Sequence, residues 1–160
     1  MPATYEKIAS TTLGANGTIS FTSIPASYTD LRLVLVCTTV SGGGLEFRYN
    51  GDTASNYSFT TLQGNGSSAT SGRASSQTSL SASNANVSAT VPALITIDIF
   101  SYAGSTFKTC LIEDSQDLNG SGQVERQVGL YRSTTAISSI SFVQSLKTGT
   151  TATLYGILKA

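Results

Sequence analysis

The sequence has no histidine and no tryptophan, and only 11% of its 160 residues are charged. Histidine is the commonest general base and the commonest metal ligand in proteins, so its absence disfavours most catalytic and metal sites. Nine basic and nine acidic side chains give a formal net charge of zero. A neutral chain has no basic surface for nucleic acid or for an anionic membrane. We therefore expect neither nucleic acid nor a membrane as a partner.

Cysteine is also scarce, since Cys37 and Cys110 are the only two. Two thiols are too few for a four-cysteine zinc site or for a disulfide scaffold. The first six residues have neither the basic start nor the apolar stretch of a signal peptide, so we expect folding in a reducing cytoplasm. No apolar run approaches the roughly 20 residues of a membrane span. Both cysteines are then expected to be small buried side chains, with a disulfide as the alternative.

Small hydroxyl residues are abundant, because 25 Ser and 23 Thr make up about 30% of the chain. Apolar side chains alternate with others over residues 45–49 and 94–100, and Gly, Asn, Asp and Ser lie between such runs. This pattern is typical of β-strands joined by tight turns. Residues 31–37 are apolar on both sides and are expected in a sheet interior. The sequence predicts a single antiparallel β-sandwich domain over residues 1–160, with about nine or ten short strands.

Two segments depart from this pattern. Residues 64–89 are rich in Ser, Ala, Asn and Gly, and apart from alanine only Leu80 and Val87 are apolar. We predict a long polar loop there, because loops beyond about 12–15 residues in a compact domain are usually functional or mobile. It is either an exposed flexible loop with an edge strand around 78–83 or a loop ordered by a neighbouring subunit. Residues 1–9 are predicted to form an N-terminal arm that pairs with a neighbour's sheet edge.

One turn-like stretch has the spacing of a calcium-binding loop. Oxygen-bearing side chains stand at its first, third and fifth positions, and Gly122 at its sixth. The glutamate that normally completes such a loop at position twelve is replaced by Val128. A hairpin connection rich in turn formers explains the same residues without an ion. The weak calcium candidates are Asp117, Asn119 and Ser121.

The acidic residues offer one route to catalysis, because glycosidases use a facing pair of carboxylates. Asp98 and Glu46 are the most suggestive, since each is the single acid on an otherwise apolar strand. The more ordinary role for Asp98 is an outward-facing side chain or one paired with an arginine. Aromatic residues follow core periodicity and do not cluster as a sugar-stacking platform. We therefore expect no enzymatic activity, no catalytic residues and no cofactor.

Short turn and core motifs extend along nearly the whole chain. They are Tyr5-Glu6-Lys7-Ile8-Ala9, Phe21-Thr22-Ser23-Ile24-Pro25, Tyr28-Thr29-Asp30-Leu31, Phe47-Arg48-Tyr49-Asn50-Gly51-Asp52 with Asn56-Tyr57, Leu62 before Gly64-Asn65-Gly66, Val128-Gly129-Leu130-Tyr131-Arg132-Ser133-Thr134, Ala136-Ile137 and Leu154-Tyr155-Gly156-Ile157. Together these motifs resemble a kind of small virion protein found in tailed bacteriophages of cyanobacteria and other aquatic bacteria. Tyr131 stands where a tryptophan is expected in such proteins, although an aromatic side chain is kept.

The resemblance implies a jelly-roll-like β-sandwich in the virion. Its main expectation is a capsid decoration, or cement, protein that binds the major capsid protein and copies of itself as a homotrimer. The alternative is a tail-fibre or host-receptor-binding module, with tail proteins or a host surface glycan as partner. A neutral surface rich in hydroxyl groups suits packing against other protein, since little charge must be desolvated. The residues expected at an interface are Tyr5, Lys7, Ser67, Ser68, Arg73 and Gln77.

Overall fold

Alternating side chains and glycine-rich turns build strands along the whole of the computed structural model, which describes residues 4–158 apart from the side chain of Ala85. The described part of the chain forms twelve strands and no helix. The strands are β1 (Tyr5–Thr12), β2 (Ser20–Phe21), β3 (Asp30–Cys37), β4 (Gly43–Tyr49), β5 (Tyr57–Gly64), β6 (Ala69–Gln77), β7 (Leu80–Val87), β8 (Ala93–Phe100), β9 (Lys108–Asp117), β10 (Gly122–Tyr131), β11 (Ile140–Phe142) and β12 (Thr151–Ile157).

The strands form two antiparallel sheets of unequal size. The larger has eight strands in the order β1-β12-β3-β8-β9-β10-β5-β6, and the smaller has four in the order β2-β11-β4-β7. The all-β, antiparallel prediction is confirmed. The strand number is higher than the predicted nine or ten, because β2 is too short to give a periodic signal and β6 is too polar.

The inner faces of the two sheets share one hydrophobic core. In β3 the residues Leu31, Leu33 and Leu35 point into it and are fully buried. β3 lies between β12 and β8, so the prediction of a sheet-interior strand is confirmed. Its opposite face is not covered, however, and Val36 is 41% exposed. The apolar second face of this strand therefore lies on the surface of the chain.

The prediction of a long polar loop over residues 64–89 is wrong for most of this segment, but the edge strand expected around residues 78–83 is present as part of β7. Residues 69–77 and 80–87 are the strands β6 and β7, and the chain turns between β5 and β6 at Asn65, whose side chain accepts hydrogen bonds from two backbone amides. Sheet hydrogen bonds are made by the main chain, so small polar residues can form a strand without apolar alternation. The polar composition of residues 69–77 therefore reflects the exposure of β6 to solvent and not the absence of a strand.

The predicted N-terminal arm is also corrected over the described residues. Tyr5–Thr12 forms β1 and pairs with β12 of the same chain, with Glu6 opposite Gly156 and Thr11 opposite Ala152. Residues 1–3 lie outside the described part. Residues 5–9 are therefore an edge strand of the chain's own sheet.

Candidate interaction surface

The most distinctive surface feature is an apolar patch on the outer face of the eight-stranded sheet. Strand register places Val36 opposite Leu94, and both Leu94 and Val124 lie opposite Ser115, so these side chains form a row across four strands. Val124 is 62% exposed and Val128, four residues along the same strand and beyond Arg126 on the same face, is 48% exposed. We call these side chains the outer patch, which consists of Val36, Leu62, Leu94, Val124 and Val128.

Two arginines beside the outer patch are paired with acidic residues within the chain. Arg32 donates two hydrogen bonds to the Asp98 carboxylate, at 2.5 and 2.6 Å, and this hydrogen bonding raises the pKa of the guanidinium. Arg126 lies 3.5 Å from the carboxylate of Glu113. The expectation that Asp98 is an arginine-paired side chain is confirmed. The outer face thus combines exposed apolar groups with these two ion pairs.

The six predicted interface residues are exposed, but they do not form one surface. Tyr5 and Lys7 lie on β1, at one edge of the eight-stranded sheet, and the Tyr5 ring lies edge-on to Tyr155. Arg73 and Gln77 lie on β6, at the opposite edge, and Ser67 and Ser68 form the turn before it. The structure therefore divides these residues between the two ends of one sheet.

Buried polar side chains on the inner face of the eight-stranded sheet form hydrogen bonds with main-chain groups at the edge of the four-stranded sheet. β7 is an edge strand that packs over β9 and β10. Glu125 accepts a hydrogen bond from the backbone N–H of Asn84, and Gln127 donates one to the carbonyl of Ser81. These side chains thus give main-chain groups of β7 the hydrogen-bond partners that a further strand would otherwise supply.

The buried acids form a pair that the sequence patterns did not reveal. Asp114 and Glu125 are directly opposite on β9 and β10, and they are only 2% and 4% exposed. Ser83 donates to Asp114 at 2.6 Å, Gln123 donates to it at 2.7 Å, and Thr61 donates to Glu125 at 2.7 Å.

The environment of Asp114 favours its neutral form. Burial raises the pKa of the Asp114 carboxyl, although the hydrogen bonds from Ser83 and Gln123 act in the opposite direction. Opposed side chains on one face of an antiparallel pair lie about 4.5–5.5 Å apart at Cβ, a separation at which two carboxyl groups interact strongly. Both side chains lie almost fully buried on the inner face of the eight-stranded sheet.

The other candidate carboxylate pair is not brought together. Asp98 lies on β8 in the eight-stranded sheet, whereas Glu46 lies on β4 in the four-stranded sheet and accepts a 3.4 Å hydrogen bond from Gln144. β8 and β4 have the same alternation of apolar and polar side chains, so the sequence did not show that they belong to different sheets. These two acids cannot act together on one glycosidic bond.

The two cysteine thiols and the side chain of Lys108 are buried in the fold. Cys37 and Cys110 are free and buried, which confirms the expectation for both, and burial raises their thiol pKa values to about 12 and about 11. The spacing Ser105-x-x-Lys108 matches a nucleophile–lysine motif of some acyl-transfer enzymes. Here Ser105 is exposed, whereas Lys108 is buried and donates to the carbonyl of Gly104 at 2.6 Å.

The candidate calcium residues lie in the hairpin between β9 and β10. Asp117 accepts a 2.7 Å hydrogen bond from the backbone N–H of Asn119, and Leu118 donates to the carbonyl of Ser121. These are the contacts of a tight turn rich in Asx residues. Among residues 4–158 no group of three or more His, Cys, Asp or Glu side chains could hold a metal ion. The turn also borders an open cleft of about 630 Å³, whose other side is formed by the β5–β6 turn.

No protein-family model, curated protein or solved structure matches the chain. In the described part of the chain, no helix is long and apolar enough to cross a membrane. The function is therefore inferred from the chemistry and geometry of the surfaces described above.

Proposed function

We propose that this protein is a structural subunit of a bacteriophage particle, specifically a decoration protein that binds neighbouring subunits on the outside of the capsid. The observation that carries the proposal is the outer patch, in which apolar side chains from β3, β8, β10 and β5 are exposed together. Contiguous exposed apolar groups commonly mark protein–protein interfaces. The resemblance to small virion proteins supports the choice of a capsid as the partner.

The two ion pairs beside the outer patch support a protein partner whose contacting surface is uncharged. Burying a charged side chain beneath a neighbouring subunit is costly unless a partner compensates it. Arg32 with Asp98, and Arg126 with Glu113, already compensate each other within the chain. A capsid holds many copies of each subunit, so a modest interface per copy gives stable attachment through multivalency. The jelly-roll-like character that the resemblance implies is part of this proposal.

Immunogold labelling of intact phage particles tests the location. Antibodies raised against the purified protein are expected to label the whole capsid surface at many sites per particle. Labels confined to the tail would overturn the decoration role and favour the tail-fibre or receptor-binding alternative. Particles without any label would overturn the assignment to the virion.

A binding experiment tests the outer patch itself. The double variant Leu94→Lys/Val128→Lys is expected to bind capsids stripped of this protein at least about tenfold more weakly than the wild type, because it places charges in the apolar interface. Thr22→Lys/Thr53→Lys adds the same charge at exposed positions outside the eight-stranded sheet and should bind like the wild type. Equal binding by both variants would show that another surface contacts the capsid.

A further inference from the structure

The two sheets have four edge strands, and three of them are protected against pairing with another chain. An unprotected edge presents main-chain N–H and C=O groups to any extended strand. β2 has only two residues, and β7 is satisfied by side chains of β9 and β10. β1 is interrupted by a bulge between Lys7 and Ala9, and it carries the charged side chains of Glu6 and Lys7.

The fourth edge strand, β6, has less of this protection, because its bulge lies near its end, between Ala74 and Gln77. It is nine residues long, has no proline, and carries Arg73 as its single charge. Among the described strands it pairs only with β5, and the register is continuous from Ala69 to Ala74. Thr70 and Gly72, on the inner side of the sheet, are exposed, as are Ser71 and Arg73 on the outer side. A second strand can therefore approach β6 without meeting the four-stranded sheet.

We propose that β6 pairs antiparallel with β6 of a second copy of this chain, so that two eight-stranded sheets join across a two-fold axis. This inference rests on the proposed function, in which many copies assemble on one particle. An open sheet edge binds an extended strand, and the chain's own β6 has small side chains that do not obstruct the pairing. The net charge of zero leaves no overall repulsion between copies. Pairing of a strand with itself gives a closed, symmetric dimer, which would replace the homotrimer that the resemblance implies.

Arg73 determines the register of the paired strands. A register centred on Arg73 would place two guanidinium groups directly opposite each other, which is unfavourable. A register centred on Gly72 places Arg73 opposite Ser71 of the partner subunit. It also places Thr70 opposite Ala74 of the partner subunit, and it uses the continuous part of the strand.

A charge pair tests this register in the full-length protein. Ser71→Arg places a guanidinium opposite Arg73 twice in the dimer and is expected to weaken dimerisation about tenfold. Ser71→Glu places a carboxylate there and should strengthen the dimer. Sedimentation equilibrium measures both dissociation constants against the wild type. A monomeric wild type, or equal effects of the two substitutions, would overturn the proposal.

Disulfide trapping tests the two-fold axis directly. A Cβ at Gly72 would make an ordinary 3.5 Å contact with Thr61, so Gly72→Cys is tolerated by the fold. Its thiols should form a cross-linked dimer several-fold more readily than those of the matched control Arg73→Cys, which are offset across the axis. The native thiols are buried and do not compete.

Two other outcomes are informative. Preferential cross-linking between Gly72→Cys and Lys7→Cys copies would replace the symmetric dimer with head-to-tail pairing of β6 and β1, and would overturn the proposal. The capsid experiments are independent of this one. Dimerisation with the predicted charge dependence but without labelling of particles would reject the proposed function alone.

Discussion

Gly156 on β12 lies directly beneath the aromatic ring of Tyr28. A Cβ at this position would come within 2.3–2.5 Å of three ring atoms, which is far inside van der Waals contact. The ring is held in place, because the Tyr28 hydroxyl donates to the carboxylate of Glu6 at 3.1 Å and its backbone N–H donates to Tyr102. The absence of a side chain at this one position allows Tyr28 to cover the sheet.

Gly156→Ala should therefore destabilise the protein by about 1–3 kcal/mol, the usual cost of overpacking. Urea denaturation followed by fluorescence measures the change. Gly14→Ala is the matched control, because a Cβ there would meet nothing within 4 Å. We expect it to change the free energy of unfolding by less than about 0.5 kcal/mol. Equal effects of the two substitutions would contradict the packing described for Tyr28.

Asp114 should make the stability depend on pH. Its folded-state pKa is raised above the ordinary value of 3.8, so the folded state holds the proton more tightly than the unfolded state. The resulting stabilisation is fully present below the ordinary carboxyl pKa and is lost as pH rises through the raised folded value.

Asp114→Asn removes the titrating carboxyl and should reduce the loss of stability with rising pH. The stability of the wild type relative to the variant should therefore be greatest at acid pH and fall towards neutral pH. Denaturation curves at a series of pH values between about 3.5 and 7.5 measure the difference, a range that spans ordinary carboxyl titration. Glu113→Gln, on the exposed face of the same strand, is the control. A constant difference between wild type and Asp114→Asn across this range would show that the buried carboxyl does not titrate with folding.

At the level of strands, β7 shows how a sheet edge can be closed without another strand. Gln116 accepts a 3.1 Å hydrogen bond from the N–H of Ser88 and donates a 2.6 Å hydrogen bond to the carbonyl of Val91. These contacts hold the end of β7 and the following turn against β9. Because an apolar side chain could not make these hydrogen bonds, they explain why an amide side chain is buried at this position.

Gln116→Met should remove both hydrogen bonds while nearly preserving the volume. We expect a loss of about 1–3 kcal/mol, because main-chain groups lose their partners. Hydrogen exchange at the Ser88 amide should accelerate more than exchange at the amides of β3. Gln63→Met, at a half-buried position on β5, is the control and should leave exchange at Ser88 unchanged. Slow exchange at Ser88 in the Gln116 variant would contradict the role assigned to this side chain.

The strands differ in how clearly they could be predicted. β3 and β8 were evident from their alternation, because burial of one face selects apolar residues at every second position. β6 was missed because both of its faces are exposed, so no position selects an apolar side chain. β7 was predicted only in part, as an edge strand around residues 78–83, because its inner face includes the small residues Ser81 and Ser83. Strands held by main-chain pairing and by polar neighbours leave a weak hydrophobic pattern.

For the whole molecule, the unequal sizes of the sheets explain the exposed surfaces. Four strands cannot cover eight, so β6 extends beyond the core with both faces exposed. Within residues 4–158 no second layer covers the outer face of the large sheet, and the outer patch lies there. Neutral charge and abundant hydroxyl groups make both surfaces compatible with burial against other protein. These are the surfaces to which the proposed function and the proposed dimer assign partners.

The composition alone established a histidine-free chain with a net charge of zero, and the alternation of side chains established an antiparallel all-β fold. Both follow from local properties, since charge is additive and side-chain direction alternates along any strand. Only the tertiary structure placed Asp114 opposite Glu125, closed the edge of β7 with side chains of β9 and β10, and left β6 open. Those features depend on which strands become neighbours, and strand pairing joins residues far apart in the sequence.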